Sequence, residues 1–152
     1  MEKYKFFWSG ILSNWFESNF EIDSIKYNTS EQYMMYQKAL FFNDIDTANK
    51  ILKEKNPKYQ KKLGREVKNF NIDKWNIVKY DIVKNGILEK FKQNPELKKY
   101  LLKYKGYKFV EASPYDRIWG IGFLEIDAIK NIDKWGQNLL GQILTELSNE
   151  LF

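Results

Sequence analysis

Two side chains stand out as groups that could do chemistry, Glu31 and Lys38. At 100° per residue, seven positions bring them within about 20° of each other on a helix. Met34, Met35, Phe41 and Phe42 share that stripe, so a carboxylate and an ammonium lie in the face expected to turn inward. Partial burial would raise the carboxyl pKa and lower the amine pKa, which suits a Glu acid or base and a nucleophilic Lys. The same spacing also lets both groups snorkel from the stripe edges. The pair matters because the 152 residues include no His and no Cys. Imidazole bases, Ser-His-Asp triads, thiolate nucleophiles, disulfides and His- or Cys-ligated metals are thereby excluded. Proton transfer falls to Asp, Glu, Lys, Tyr, Ser, backbone or substrate. No metal and no cofactor is expected.

A second segment, Glu111-Ala-Ser-Pro-Tyr-Asp-Arg-Ile-Trp-Gly-Ile-Gly-Phe, leaves a predicted strand and enters an irregular loop. Loops leaving rigid strands often present functional groups, so Glu111, Asp116 and Trp119 are candidates to face one pocket. The plainer reading is a turn in which Asp116 caps backbone amides. Gly120 and Gly122 are too closely spaced for a dinucleotide fingerprint, and no suitable helix follows. Ser13 and Asn14 precede an aromatic run and could cap a turn or bind a polar ligand. Arg65, one of only two arginines, could grip a phosphate or simply be solvated. Trp75 shares a helix face with Val78 and Ile82, which makes core packing its default. Gly136, Asn138 and Gly141 would permit close helix approach, and Asn138 would need a partner if buried.

The elements that must position these groups are mostly helical. Strands are expected at 3–8, in parts of 19–27 and at 108–112. Thr29 and Gln32 stand at capping-box spacing before a helix running to about Phe42. Further helices are expected from about 44 to 55, from Pro57 to near Gly64, and from an Asp73 cap past Ile82 toward Phe91. Asn94-Pro95-Glu96 caps the next, and a last helix spans about 133–149. The pentapeptide Asn-Ile-Asp-Lys-Trp at 71–75 recurs at 131–135, and both copies read as helix starts with Asp as cap. The prediction is thus a mainly α fold with a few short β-strands (α+β), compact and multihelical, with residues 1–152 forming a single domain. The basic N-terminal stretch lacks an unbroken apolar core and a cleavage site, and no run is long enough to span a membrane, so the expected compartment is the cytoplasm. The net charge is +5, from 25 basic and 20 acidic residues. With 23 Lys against two Arg, codon composition accounts for most of it, although a field attracting phosphates remains open.

Taken together these residues resemble the YbiA/NADAR family. The elements in common are Phe7-Trp8, Ser13-Asn14, Thr29-Ser30-Glu31-Gln32-Tyr33, Gln37-Lys38-Ala39, Leu63-Gly64-Arg65, Trp75 and Lys90-Phe91. They continue through Leu101-Leu102, Glu111-Ala112-Ser113, Asp116 to Gly122, and Trp135-Gly136-x-Asn138-Leu139-Leu140-Gly141, in family order across nearly the whole chain. The resemblance implies a small helical N-glycosidase that cleaves a bond at ribose C1′. Its implied substrates are phosphoribosylamino-pyrimidine intermediates of early riboflavin synthesis, or ADP-ribose on guanine, including ADP-ribosylated DNA. By position, Glu31, Trp75 and Asp116 match family residues used in catalysis or binding. Lys38 matches a lysine proposed to attack C1′ as a Schiff-base nucleophile. Ser13, Asn14, Arg65, Glu111, Trp119, Gly120, Gly122 and Asn138 are the implied substrate-binding set. Leu144-Thr145-Glu146-Leu147 departs from the usual ending, which often carries Arg, so no phosphate contact is inferred there. The alternative is a non-catalytic module binding ADP-ribose or nucleic acid.

Overall fold

The computed structural model describes all residues, 1–152. The chain is mainly helical with few short strands, as expected, and no helix is long and apolar enough to cross a membrane. Its contacts divide it into two compact units, Asn14–Asn94 and the combination of Met1–Ser13 with Pro95–Phe152.

The Asn14–Asn94 unit begins with a hairpin of β2 (Phe20–Ile22) and β3 (Ile25–Tyr27), preceded in the chain by β1 (Tyr4–Phe7). The hairpin interrupts the strand expected over 19–27. Asp23 and Ser24 both take positive φ, the conformation a tight two-residue hairpin turn demands. Helix α1 (Ser30–Phe41) follows, with α2 (Ile45–Lys53) and α3 (Pro57–Arg65) packed on it, and the 22-residue α4 (Ile72–Gln93) completes the unit. Residues Ser30 to Tyr36 of α1 are all buried, so this helix is the core of the unit rather than a surface helix. Burial of so polar a sequence requires partners for its side chains. Thr29 caps α1, its Oγ1 accepting from the Gln32 amide at 3.0 Å. The Gln32 side chain passes over the Thr29 amide of a standard capping box. Its Oε1 accepts from the Asn28 amide at 2.8 Å, while its Nε2 donates to the carbonyls of Ile51, Leu52 and Glu54. Gln60 adds a bond from its Nε2 to the Glu54 carbonyl at 2.8 Å. Two buried glutamines thus satisfy the carbonyls that end α2. Helix α4 starts earlier than expected. Its cap is Asn71, whose side chain accepts from the Lys74 amide, and Asp73 lies in the first turn, where its charge favours the helix N-terminus. The buried face of α4 runs through Trp75, Lys79, Val83, Ile87, Lys90 and Phe91, one position off the expected Val78–Ile82 line. Lys90 is only 1% exposed.

In the other unit β1 pairs in parallel with β4 (Lys108–Glu111), Phe7 standing opposite Glu111. Helix α5 (Pro95–Leu102) precedes β4. After it come α6 (Glu125–Ala128), a 3₁₀ turn over Ile129–Lys134, and α7 (Leu139–Glu146), which runs into a π-turn at Leu147–Leu151. Val110, Ala112, Ile121 and Ala128 form a core covered by Tyr4, Phe6, Phe123 and Trp135. The last helix begins at Leu139, not near 133, so the second Asn-Ile-Asp-Lys-Trp copy ends a 3₁₀ turn instead of starting a helix. The reason lies in backbone pairing. Amides of Gly136, Gln137, Asn138, Leu139 and Leu140 donate to carbonyls of Ile121, Arg117, Gly120, Ile118 and Trp119. That stretch is committed to a loop partner before the helix can form.

Candidate functional site

Glu31 lies in the first turn of α1 and is 5% exposed. The Asn14–Trp15 segment clamps this helix end. The Asn14 carbonyl accepts from the Glu31 amide at 3.0 Å, Asn14 Oδ1 accepts from the Ser30 hydroxyl at 2.8 Å, and the Trp15 indole N–H donates to Glu31 Oε1 at 2.9 Å. Trp15 keeps 44% of its surface exposed, so Glu31 is held from the solvent side by a ring that a ligand could also touch.

Two turns along α1, the Lys38 ammonium donates to the Gly64 carbonyl at 2.8 Å and sits 4.4 Å from the centre of the Phe70 ring. Burial pushes the Lys38 pKa below the ordinary lysine value; the Glu31 charge acts in the opposite direction and Arg65 reinforces the lowering. Glu31 and Lys38 therefore interact electrostatically and share one inward stripe. Gly64 makes the arrangement possible. A Cβ there would fall 1.9 Å from Met35 Sδ, so glycine lets α3 approach α1 and present its carbonyl without displacing the Met35 side chain. Arg65, the next residue, is exposed at the end of α3. Trp75 is buried, its ring 6.2 Å from Phe41 and 6.5 Å from Phe42, so its contacts are those of core packing.

The Met1–Ser13 and Pro95–Phe152 unit gathers the other candidates around the end of β4. Asp116 Oδ1 accepts from the amides of Ile118 and Trp119 at 2.8 and 2.9 Å, which makes it the cap of the turn. Oδ2 has no part in those bonds. Glu111 is buried, and a Cβ on Gly120 would approach its carbonyl to 2.8 Å and its Oε2 to 2.9 Å, so loop and strand end are in close contact. Gly122 takes φ +81° beneath the Arg117 side chain. Trp119 is half-buried. Asn138 has a left-handed backbone, φ 53°, and its amide lies along the outer edge of β4. It donates to the Phe109 carbonyl and accepts from the Glu111 amide, both at 3.0 Å. Its expected partner is therefore the strand edge. Ser13 is buried, and its amide closes a turn onto the Gly10 carbonyl at 2.9 Å.

The structure thus brings Asn14, Glu31, Lys38 and Arg65 into one neighbourhood within the first unit, and Glu111, Asp116, Trp119, Gly120, Gly122 and Asn138 into another within the second. Two residues that the sequence did not single out belong to the first group. Trp15 reaches Glu31 across sixteen positions and Phe70 covers Lys38 from a loop; neither pairing has a periodic signal. No group of three or more acidic side chains is arranged to hold a metal ion.

Comparison with known proteins follows the same lines. An N-glycosidase of Acanthamoeba polyphaga mimivirus is 42% identical over 148 residues, covering 92% of this chain and 86% of its own. Protein irg-1 of Caenorhabditis elegans is 37% identical over 160 residues, covering 93% of this chain and 76% of its own. The NMR structure of the Escherichia coli protein YbiA superposes with a TM-score of 0.81 at 28% identity, over 99% of this chain and 86% of that one. The model of the NADAR domain matches residues 6–152, and the chain accordingly belongs to the NADAR family.

Proposed function

We propose that this NADAR chain, an N-glycosidase in kind, cleaves the bond between ribose C1′ and a base nitrogen in a phosphorylated ribosyl-base substrate. Two substrate classes fit: ADP-ribose carried on guanine, including guanine in DNA, and the phosphoribosylamino-pyrimidines of early riboflavin synthesis. The observation that carries the reading is the pairing of a buried Glu31 with a desolvated Lys38 on one stripe of α1.

Breaking the C1′–N bond builds positive charge at C1′ and negative charge at the departing nitrogen. An ionised Glu31, held by the Trp15 N–H, stabilises the first and can orient a water for attack. Water adds its oxygen to C1′ and passes a proton to the Glu31 carboxylate, the bonding pair leaves with the base, and a proton must reach the base nitrogen. Lys38 is suited to supply that proton, a gain of about 10²–10⁴-fold for a well-placed acid. Its lowered pKa equally suits the other route, in which the neutral amine adds to C1′ of the opened sugar, expels the base and is released by hydrolysis. Within the other unit, Asp116 through Oδ2 is proposed as a carboxylate with a chemical role of its own, and Trp119 as a ring for a base or ribose, worth about 1–3 kcal/mol in stacking.

The test is incubation with each substrate class and separation of the released base. Release from one class names the substrate; release from neither overturns the reading. A ligand bound tightly by calorimetry but never cleaved would replace it with a binding module. Borohydride trapping separates the two routes. An adduct that disappears in Lys38→Ala identifies the covalent one, whereas turnover without an adduct identifies direct attack by water.

A further inference from the structure

The net charge of +5 is not spread over the chain. Residues 1–5 and 95–108 hold seven lysines against Glu2 and Glu96, and this alone accounts for the whole excess, leaving the rest of the sequence neutral. Codon bias explains how many lysines there are but not why acids are missing from one region. The two stretches are joined in the fold, because β1 pairs with β4 and Lys5 lies on the tyrosines that follow α5.

Tyr100, Tyr104 and Tyr107 form a ladder of edge contacts, each step 5.5 Å between ring centres. Lysines flank it on both sides. Lys5 sits 4.3 Å from the Tyr104 ring centre, Lys103 5.9 Å from the same ring, and Lys3 5.6 Å from Tyr107. The hydrogen bond from Lys5 holds the Tyr104 phenol below its usual range, a sign of the local positive field. Alongside runs an open groove of about 760 Å³ lined by Pro95, Tyr100 and Leu102 together with Lys98, Lys99, Lys103 and a single acid, Glu96. Its apolar wall suits a flat ring and its lysines suit phosphate. None of these residues is among the candidate catalytic groups.

We infer that this lysine–tyrosine face of α5, β1 and the turn before β4 is a contact surface for single-stranded nucleic acid. Non-specific binding of single strands combines a positive groove that follows the backbone with aromatic rings for the bases. An acidic peptide could use the lysines but would leave the rings and the groove unused. The inference does not depend on which substrate the enzyme cleaves.

The experiment is fluorescence anisotropy with a labelled 20-nucleotide oligo-dT at several salt concentrations, using the full chain. Lys98→Glu/Lys99→Glu/Lys103→Glu should weaken binding at least tenfold and reduce the slope of log K against log salt by about 2, as loss of three phosphate contacts requires. A Lys→Gln set at the same positions serves if the reversed variant does not fold, and should act in the same direction. Tyr100→Leu should weaken binding about tenfold while leaving the salt slope unchanged. Lys50→Glu/Lys53→Glu/Lys55→Glu carries the same change in net charge on exposed positions elsewhere. If that control weakens binding as much, the surface is not the site and the inference fails. It fails also if polyglutamate of equal charge, or phosphatidylserine vesicles, compete as well as the oligonucleotide.

Discussion

The stability of a Lys90→Met variant relative to the parent should fall steadily as pH rises from 7 to 10. Lys90 is fully buried on α4, and burial lowers its pKa from 10.5 to about 7. In the unfolded chain the amine keeps its ordinary value. Between the two pKa values the unfolded state therefore binds more protons than the folded one, so stability must rise with pH across that window. The cost of keeping the lysine is full below about pH 7 and vanishes above about pH 10.5. Each pH unit in between is worth about 1.4 kcal/mol, which makes the cost about 4 kcal/mol at neutral pH. Methionine has a similar length and does not titrate, so the variant lacks this pH dependence. The assay is urea unfolding of both proteins at pH 7, 8, 9 and 10. Subtracting one from the other cancels every other titrating group. The expected difference is largest at pH 7 and falls by about 1.4 kcal/mol per unit. A difference that stays constant over this range would refute the reasoning, because it would mean that Lys90 does not change its proton affinity on folding.

Three further outcomes follow from the geometry. Asp116→Asn keeps an Oδ1 acceptor for the Ile118 and Trp119 amides, so it should unfold within about 0.5 kcal/mol of the parent, whereas Asp116→Ala should cost about 1 kcal/mol; a large loss of kcat in the folded Asn variant would give the carboxylate a chemical role. Trp15→Phe removes the indole N–H that holds Glu31 Oε1, so kcat/KM should fall about tenfold in a variant that still folds; unchanged kinetics would detach the Trp15–Glu31 contact from the reaction. Gly64→Ala puts a Cβ 1.9 Å from Met35 Sδ and should cost about 1–3 kcal/mol in thermal unfolding, with part recovered in a Met35→Ala background; strict additivity would show that the two residues do not compete for the same space.

Much of this was legible because the signals are local. The Thr29 cap, the Asn94-Pro95 break and the strand at 108–111 each depend on residues within four positions of one another. The stripe that unites Glu31 and Lys38 follows from helical period alone. What stayed hidden depends on distance or competition. Nothing in the spacing shows Gln32 reaching back to Asn28 and across to the end of α2, or Trp15 reaching Glu31. The last helix was expected too early because its apolar period continues upstream to Trp135. There, pairing of residues 136–140 with the 117–121 loop outcompetes helix formation. Asp116 met the plainer of its two sequence readings as regards Oδ1, which caps its turn.

A two-stranded parallel sheet leaves an open flank that any extended segment could extend by pairing. Along β4 that flank is already occupied. The Asn138 amide takes both the Phe109 carbonyl and the Glu111 amide, and the Thr145 hydroxyl accepts from the Phe109 amide at 2.9 Å. The Asn138 side chain, with Thr145 beside it, thus stands in for a missing third strand. It fits only because position 141 is glycine, where a Cβ would fall 2.3 Å from the Asn138 nitrogen. With Asn138 and Thr145 seated there, the backbone groups of Phe109 and the amide of Glu111 are no longer open to pairing by an added strand.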